Sequence, residues 1–247
     1  MNEKKIALVT GANKGIGFET ARQLAQKGIT ILLGARDKQR GAEAAKKLHD
    51  EGLDVQFLQI DLNDEKTHEI AAKFITENFG RLDILVNNAA VLLEQSADRG
   101  ILPASQTPLE IYRQTFETNF FNLIAITQKL LPLIKKSKSG RIVNLTSALA
   151  SMTLHSDPKS AVYDKKITAY DISKTAVNSF TIHLAHELKD TPIKVNAADP
   201  GWVKTDMGGE QAPLEVQEGA KTSVLLATLP ADGYTGKYIH LGEEQPW

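Results

Sequence analysis

Tyr170 and Lys174 stand four residues apart in Tyr170-Asp171-Ile172-Ser173-Lys174. On a helix, that spacing puts a phenol and an ammonium on one face. A free phenol has a pKa of about 10 and is a poor acid–base group at neutral pH. A nearby ammonium favours the phenolate. Bringing the phenol to about 7 takes roughly 4 kcal/mol of differential stabilisation. One ammonium in a partly dry site, beside the positive ring of an oxidised nicotinamide, can supply that. The chemistry such a pair suits is delivery of a proton to an oxygen while hydride arrives at the attached carbon. Taken alone, an ordinary helix-surface pair explains the spacing better.

Two other segments reverse that judgement. Arg141-Ile142-Val143-Asn144-Leu145 reads as a strand, and Ser147 lies just beyond it, where a hydroxyl can hold a carbonyl oxygen. Thr10-Gly11-Ala12-Asn13-Lys14-Gly15-Ile16-Gly17 lies between an apolar β-branched run and a helical pattern. Glycines there let a pyrophosphate approach the backbone. The helix start then offers free N–H groups and the positive dipole end. The spacing is G-x-x-x-G-x-G, not the commoner G-x-G-x-x-G.

Other positions add to the dinucleotide reading. Arg36 follows the second strand, where a cation suits a ribose 2′-phosphate, and Lys14 adds a cation in the turn. Asp37 can instead hold a ribose hydroxyl or cap the next helix. These residues favour NADPH. Asp61-Leu62, after the third strand, can accept from an adenine amino group or start a helix. Asn88-Ala89, after the fourth strand, let the backbone lie close to a cofactor, while Asn87 can equally bridge the sheet. Asn119, inside an apolar helix, can hold a water linking Lys174 to solvent, with Asn122 a competitor and a buried hydrogen bond the plainer explanation of both. Tyr163 has Ile167 rather than a lysine four residues on. His183 and His186 lack an acid constellation and read as solvated or packed, so no metal site is expected. Trp202 and Trp247 suit a substrate pocket, packing being at least as good an explanation for Trp247.

The elements that must position these groups are legible in the hydrophobic pattern. Strands are predicted at Ile6–Thr10, Ile29–Leu33, Val55–Ile60, Leu82–Val86, Arg141–Leu145, Lys194–Ala198 and Lys237–His240. Helices are predicted at Ile16–Lys27, Lys38–Glu51, Glu65–Phe79 and Ala169–Leu188, with a long one over Leu109–Lys136, bent or ended near Pro132. The early strands are near-continuous apolar runs, which points to helices on both sides of a parallel sheet. The fold class is therefore α/β: a single-domain, doubly wound, Rossmann-type parallel sheet over residues 1–247. Ligands of such sheets sit outside the carboxyl ends of the strands.

The 247 residues carry a formal net charge of -1, which gives no general attraction to nucleic acid or anionic lipid. Lys135, Lys136 and Lys138 read as a solvated helix end. No cysteine is present, so disulfides and thiolate chemistry are excluded. No apolar run is long enough for a membrane span, and the first strand begins too early for a signal peptide. A cytoplasmic protein is expected.

At these residues the chain resembles the short-chain dehydrogenase/reductase family over essentially its whole length. The resemblance implies that Asn119, Ser147, Tyr170 and Lys174 form a catalytic group, with Lys174 also gripping the nicotinamide ribose. Pro200-Gly201-Trp202-Val203-Lys204-Thr205-Asp206-Met207 is similar to the segment that holds the nicotinamide end. There the Val203 backbone and Thr205 are implied to contact the carboxamide or phosphates. The glycine turn, the Trp202 segment and the ending Tyr234–Trp247 resemble carbonyl reductase-like members, which use NADPH to reduce ketones, aldehydes and quinones. Two departures stand out. Ala90 replaces the usual glycine after Asn-Asn-Ala, and the Ser147-to-Tyr170 interval carries an extra polar, loop-like stretch around His155–Lys166. It is shorter than in carbonyl reductases, which keeps a homo-oligomer open. Other readings are an alcohol dehydrogenase for a sugar alcohol, steroid or acyl-carrier substrate, and a redox-sensing protein that binds the nucleotide without chemistry. Substrate choice is expected to depend on Val91–Thr107, His155–Lys166 and Gly208–Glu218.

Overall fold

A computed structural model describes residues 4–94 and 101–247. Eight strands form one sheet: β1 Ile6–Val9, β2 Thr30–Ala35, β3 Val55–Gln59, β4 Ile84–Asn87, β5 Arg141–Leu145, β6 Lys194–Asp199, β7 Tyr238–His240 and β8 Glu243–Glu244. Their order is β3-β2-β1-β4-β5-β6-β7-β8. All pairings are parallel except β7 with β8. The helices are α1 Gly15–Gln26, α2 Lys38–Asp50, α3 Glu65–Phe79, α4 Leu109–Phe116, α5 Asn122–Ile134, α6 Met152–Ser156, α7 Thr168–Glu187, α8 Val216–Gly219 and α9 Lys221–Ala227.

Successive strand side chains point to opposite faces, and β1 shows the result. Ala7 and Val9 join one core with Leu24 of α1, Leu48 of α2 and Val224 of α9. Ile6 and Leu8 join a second core with Ile75 of α3, Leu130 of α5 and Leu184 of α7. Helices therefore cover both faces, and β1, β2 and β4 are buried throughout. At the sheet edge, β3 buries only Val55 and Leu58, its other positions being half-buried or exposed.

The strand order reverses between β1 and β4, which opens a crevice at their carboxyl ends. Thr10 N donates to Val86 O at 3.0 Å across that gap. The glycine turn and Asn88 consequently face each other there.

One expected helix differs in the structure, and two short ones were not expected. The long helix over Leu109–Lys136 is α4 and α5 joined by a π-helical turn, Glu117–Phe121, which contains Asn119. Pro132 does not end α5, which continues to Ile134. The polar stretch around His155–Lys166 carries no helix or strand beyond Ser156, but just ahead of it lie a 3-10 turn, Ala148–Ala150, and α6. Ser147 and Ser151 supply the caps, accepting from Leu149 N and Leu154 N at 3.2 and 3.1 Å. These short helices were missed because capping serines, not apolar periodicity, define them.

Candidate active site

The dinucleotide end is built on Gly11 and Gly15, whose φ values of 63° and 58° lie in the left-handed region that glycine tolerates. Asn88 locks the turn. Its Nδ2 donates to Thr10 O at 2.8 Å and Gly11 O at 3.2 Å, and Thr10 Oγ1 accepts from Asn88 N and Ala89 N at 3.1 Å. A methyl on Gly17 would lie 2.4 Å from Asn88 Nδ2 and 2.6 Å from Gly11 O. Close packing at the crevice thus requires glycine here. No side chain caps α1, whereas Asp37 caps α2 and Asp64 caps α3. An uncapped helix start behind a glycine turn leaves its first amides for a phosphate, so these residues fit a dinucleotide. Ile16 packs against the core beside them.

Asp37 accepts from Arg40 N at 2.8 Å, which supports the helix-cap alternative. Arg36 is exposed at the end of β2 and has no ion pair among the described residues. An open cleft of about 540 Å³ lies between α1 and α2, lined by Asn13, Lys14, Phe18, Arg40, Glu43, Ala44, Lys47 and Asp206. Arg40 and Lys47 are therefore cations that the sequence reading missed. Their signal was the helical spacing of α2, which carries both toward α1.

Asp61 Oδ1 accepts from Asn63 N at 3.0 Å, a local turn, and Leu62 is buried in the core. Asn87 bridges the sheet, donating to Thr127 Oγ1 and Asn144 Oδ1 at 2.9 Å. The segment after β6 folds toward the glycine turn. Thr205 Cγ2 is 3.4 Å from where a Gly15 methyl would sit, and Lys14 pairs with Asp206. Pro200 and Val203 are buried, and Gly201 takes a φ of 76°. Trp202 is exposed and donates from Nε1 to Gly208 O at 2.7 Å.

The chemical end lies where β5 meets α7. Tyr170 and Lys174 share α7, and both are buried. The Tyr170 phenol lies close enough to the Ser147 side chain for it to favour the phenolate, against the larger effect of burial. The structure therefore brings together Ser147, Tyr170 and Lys174. Lys174 Nζ lies 5.8 Å from the Tyr170 ring centroid and donates to Leu145 O at 2.8 Å. Burial lowers the Lys174 ammonium to about 8.

The phenol corrects an expectation. Burial, then the carboxyl groups of Asp199 and Asp171, hold Tyr170 above the ordinary phenol value instead of below it. Desolvation penalises the phenolate more than one distant ammonium aids it. Asp199, at the end of β6, is itself raised by burial. Its carboxyl group accepts from Gly201 N at 2.8 Å and from the Ala148 backbone, so it ties the loops after β5 and β6 together. Nothing local in the sequence marks it.

Asn119 is buried in the π-helical turn. Its Oδ1 accepts from Val91 N at 2.8 Å, and its Nδ2 donates to Val91 O at 2.9 Å and Ser173 Oγ at 3.1 Å. The side chain thus braces the loop after β4 against α7, in keeping with a buried hydrogen bond. Asn122 instead donates to Asn63 Oδ1 at 2.8 Å. Tyr163 stacks under Lys166, whose Nζ is 5.0 Å from its centroid. Trp247 packs on Tyr238 with centroids 5.5 Å apart. His183 and His186 are exposed, and no group of three or more metal-ligating side chains is found among the described residues. Among those residues, no helix is long and apolar enough to cross a membrane. Residues 95–100 of the expected substrate loop lie outside the described residues.

A doubly wound sheet with an uncapped glycine turn at its switch point and a Ser, Tyr, Lys group at the next strand end is the framework of a nucleotide-dependent oxidoreductase. Residues 5–215 match the short chain dehydrogenase family model. The chain belongs to that family. It is 33% identical over 285 residues to carbonyl reductase [NADPH] 1 of Rattus norvegicus, covering 100% of this chain and 99% of the relative. Salutaridine reductase from Papaver somniferum has a TM-score of 0.80 at 29% identity, covering 94% of this chain and 98% of its own. A short chain dehydrogenase from Shigella flexneri, complexed with NADP, has a TM-score of 0.80 at 27% identity, covering 96% of each chain.

Proposed function

We propose that this protein is an NADPH-dependent reductase of ketone, aldehyde or quinone carbonyls. The observation that carries the reading is the meeting of Ser147, Tyr170 and Lys174 beside a glycine turn with free helix amides. The likeness to NADPH-named carbonyl reductase supports the choice of cofactor.

NADPH, when bound, supplies the hydride. Gly11, Asn13, Gly15, Ile16 and Gly17 hold its pyrophosphate end, and Lys14, Arg36 and Arg40 its 2′-phosphate. Asp61, Leu62, Asn88 and Ala89 line the crevice toward the adenine and ribose, while Pro200, Gly201, Val203 and Thr205 close over the nicotinamide end. Ser147 donates to the substrate carbonyl oxygen. Tyr170 delivers its phenolic proton to that oxygen as negative charge grows there. Lys174 holds the nicotinamide ribose and offsets the charge left on the phenol. A water relay through Asn119 uses its backbone, because the side chain is committed to Val91 and Ser173.

The same Ser147, Tyr170 and Lys174 set serves reduction and oxidation, and the likeness to NADPH-named carbonyl reductases favours the reductive reading. A phenol above its ordinary value keeps its proton at neutral pH but is a weak acid, so donation relies on the Lys174 charge and on the negative charge growing on the substrate oxygen. A cytoplasmic enzyme acting on a small molecule completes the proposal.

Loss of NADPH absorbance with a panel of ketones, aldehydes and quinones tests the reading. Consumption with at least one carbonyl class is expected. Binding of NADPH without turnover on any of them favours the sensor, and faster NADP+ reduction by alcohols favours the dehydrogenase.

Arg36→Asp is expected to weaken NADPH about 10- to 100-fold, since a charged hydrogen-bond partner is worth roughly 1.5–3 kcal/mol. NADH, lacking the phosphate, is expected to change little. Fluorescence titration of both cofactors reads the difference, and equal losses for the two argue against 2′-phosphate recognition. Arg40→Ala is expected to shift the same ratio in the same direction.

A further inference from the structure

The catalytic-end helix α7 begins without a cap of its own. Its N-cap residue is Ile167, an aliphatic side chain with no hydrogen bond to offer. The first amides of a helix need acceptors, and Ser, Thr, Asp or Asn ordinarily supplies them. Here Glu94 does so from far upstream in the chain. Its Oε1 accepts from Ala169 N and its Oε2 from Tyr170 N, both at 2.8 Å. The side chain is buried, 7% exposed, so water does not compete for those bonds.

The neighbours complete the clamp. Asp171 Oδ2 accepts from Ile167 N at 2.9 Å and lies 3.5 Å from His155 Nε2. Lys166 Nζ contacts His155 Nδ1 and O at 3.0 and 2.8 Å. The loop that carries Glu94 is itself pinned at Val91 by both polar ends of Asn119. A rigid path thus runs from the π-helical turn through the β4 loop to the backbone nitrogen of Tyr170.

We propose that Glu94 is a positioning residue, whose carboxyl group replaces the missing N-cap of α7 and thereby fixes the Tyr170 phenol against the substrate oxygen. The inference rests on Tyr170 being the proton donor. Both Glu94 oxygens are committed to the first amides of α7, so it acts through the helix start. A misplacement of about 1 Å at a reacting group can lower turnover about a hundredfold.

The test compares Glu94→Ala, Glu94→Gln, Tyr170→Phe and the double variant Glu94→Ala/Tyr170→Phe, with kcat and the NADPH dissociation constant measured well below each melting temperature. Glu94→Ala is expected to lower kcat by about 10- to 100-fold with NADPH affinity unchanged. Glu94→Gln, with one acceptor oxygen in place of two, is expected to fall between it and wild type. In the Tyr170→Phe background, Glu94→Ala is expected to remove nothing further, because two residues acting through one group are not additive. Wild-type kcat in Glu94→Gln and Glu94→Ala overturns the proposal, as does wild-type kcat in Glu94→Gln when the alanine variant fails to fold. A full additional loss in the double variant also overturns it. Undiminished turnover in Tyr170→Phe alone is a separate failure: it overturns the donor assignment and takes this inference with it.

Discussion

Tyr170→Phe is expected to lower kcat roughly a thousandfold, within the range of about 10²–10⁴ that a positioned acid–base group contributes. NADPH affinity is expected to stay near wild type. Phenylalanine keeps the ring that packs in the buried wall of the crevice and removes only the hydroxyl. The lost atom is the proton donor beside Ser147, while the glycine turn is untouched. Stability is expected to change little, since a single hydroxyl bond contributes about 1 kcal/mol. Stopped-flow and steady-state rates on the same carbonyl, with an NADPH titration, read the two effects apart. Equal losses in cofactor affinity and turnover point to a packing defect, and unchanged turnover removes Tyr170 from the mechanism.

The groups legible in the sequence are those whose meaning is local. Tyr170 and Lys174 share a helix face by the period of the helix alone, and Gly15 and Gly17 announce themselves as strand-to-helix residues. Strands β1, β2 and β4 were readable because helices cover both their faces, so each is an unbroken apolar run. What stayed hidden depends on partners distant in the chain. Glu94 looks like an ordinary surface acid until α7 is found to start without a cap. Asp199 reads as the tail of a strand, yet its buried carboxyl group joins two loops and bears on the Tyr170 phenol. Arg141 was read only as a strand residue. It is 1% exposed, and its guanidinium donates to the carbonyls of Gly140, Pro192, Leu229 and Pro230. The sign of the Tyr170 shift escaped for the same reason: it depends on burial and on two carboxyl groups, whereas the i, i+4 pattern displays only the lysine.

Lys174→Met is expected to abolish most turnover and to change how stability responds to pH. The ammonium is 1% exposed, and in the described chain its hydrogen bond goes to Leu145 O. Burial lowers it from 10.5 to about 8. Below about pH 8 both the folded and the unfolded chain carry the proton, and the full cost of burying the charge is present. Between about 8 and 10.5 the unfolded chain binds more proton than the folded one, so stability rises with pH across that window. The difference amounts to about 3 kcal/mol. Methionine has similar length and no charge, so the variant is expected to lose that alkaline rise and to be the more stable protein near pH 7. Its turnover is expected to fall at least a hundredfold, because no cation then offsets the charge left on Tyr170. Denaturant unfolding at pH 7 and pH 9.5 measures the first effect, and carbonyl reduction by the same samples measures the second. A variant that is stabilised yet inactive separates the cost of the buried lysine from its use. A variant with wild-type turnover removes the lysine from the chemistry and leaves the phenol to act without it.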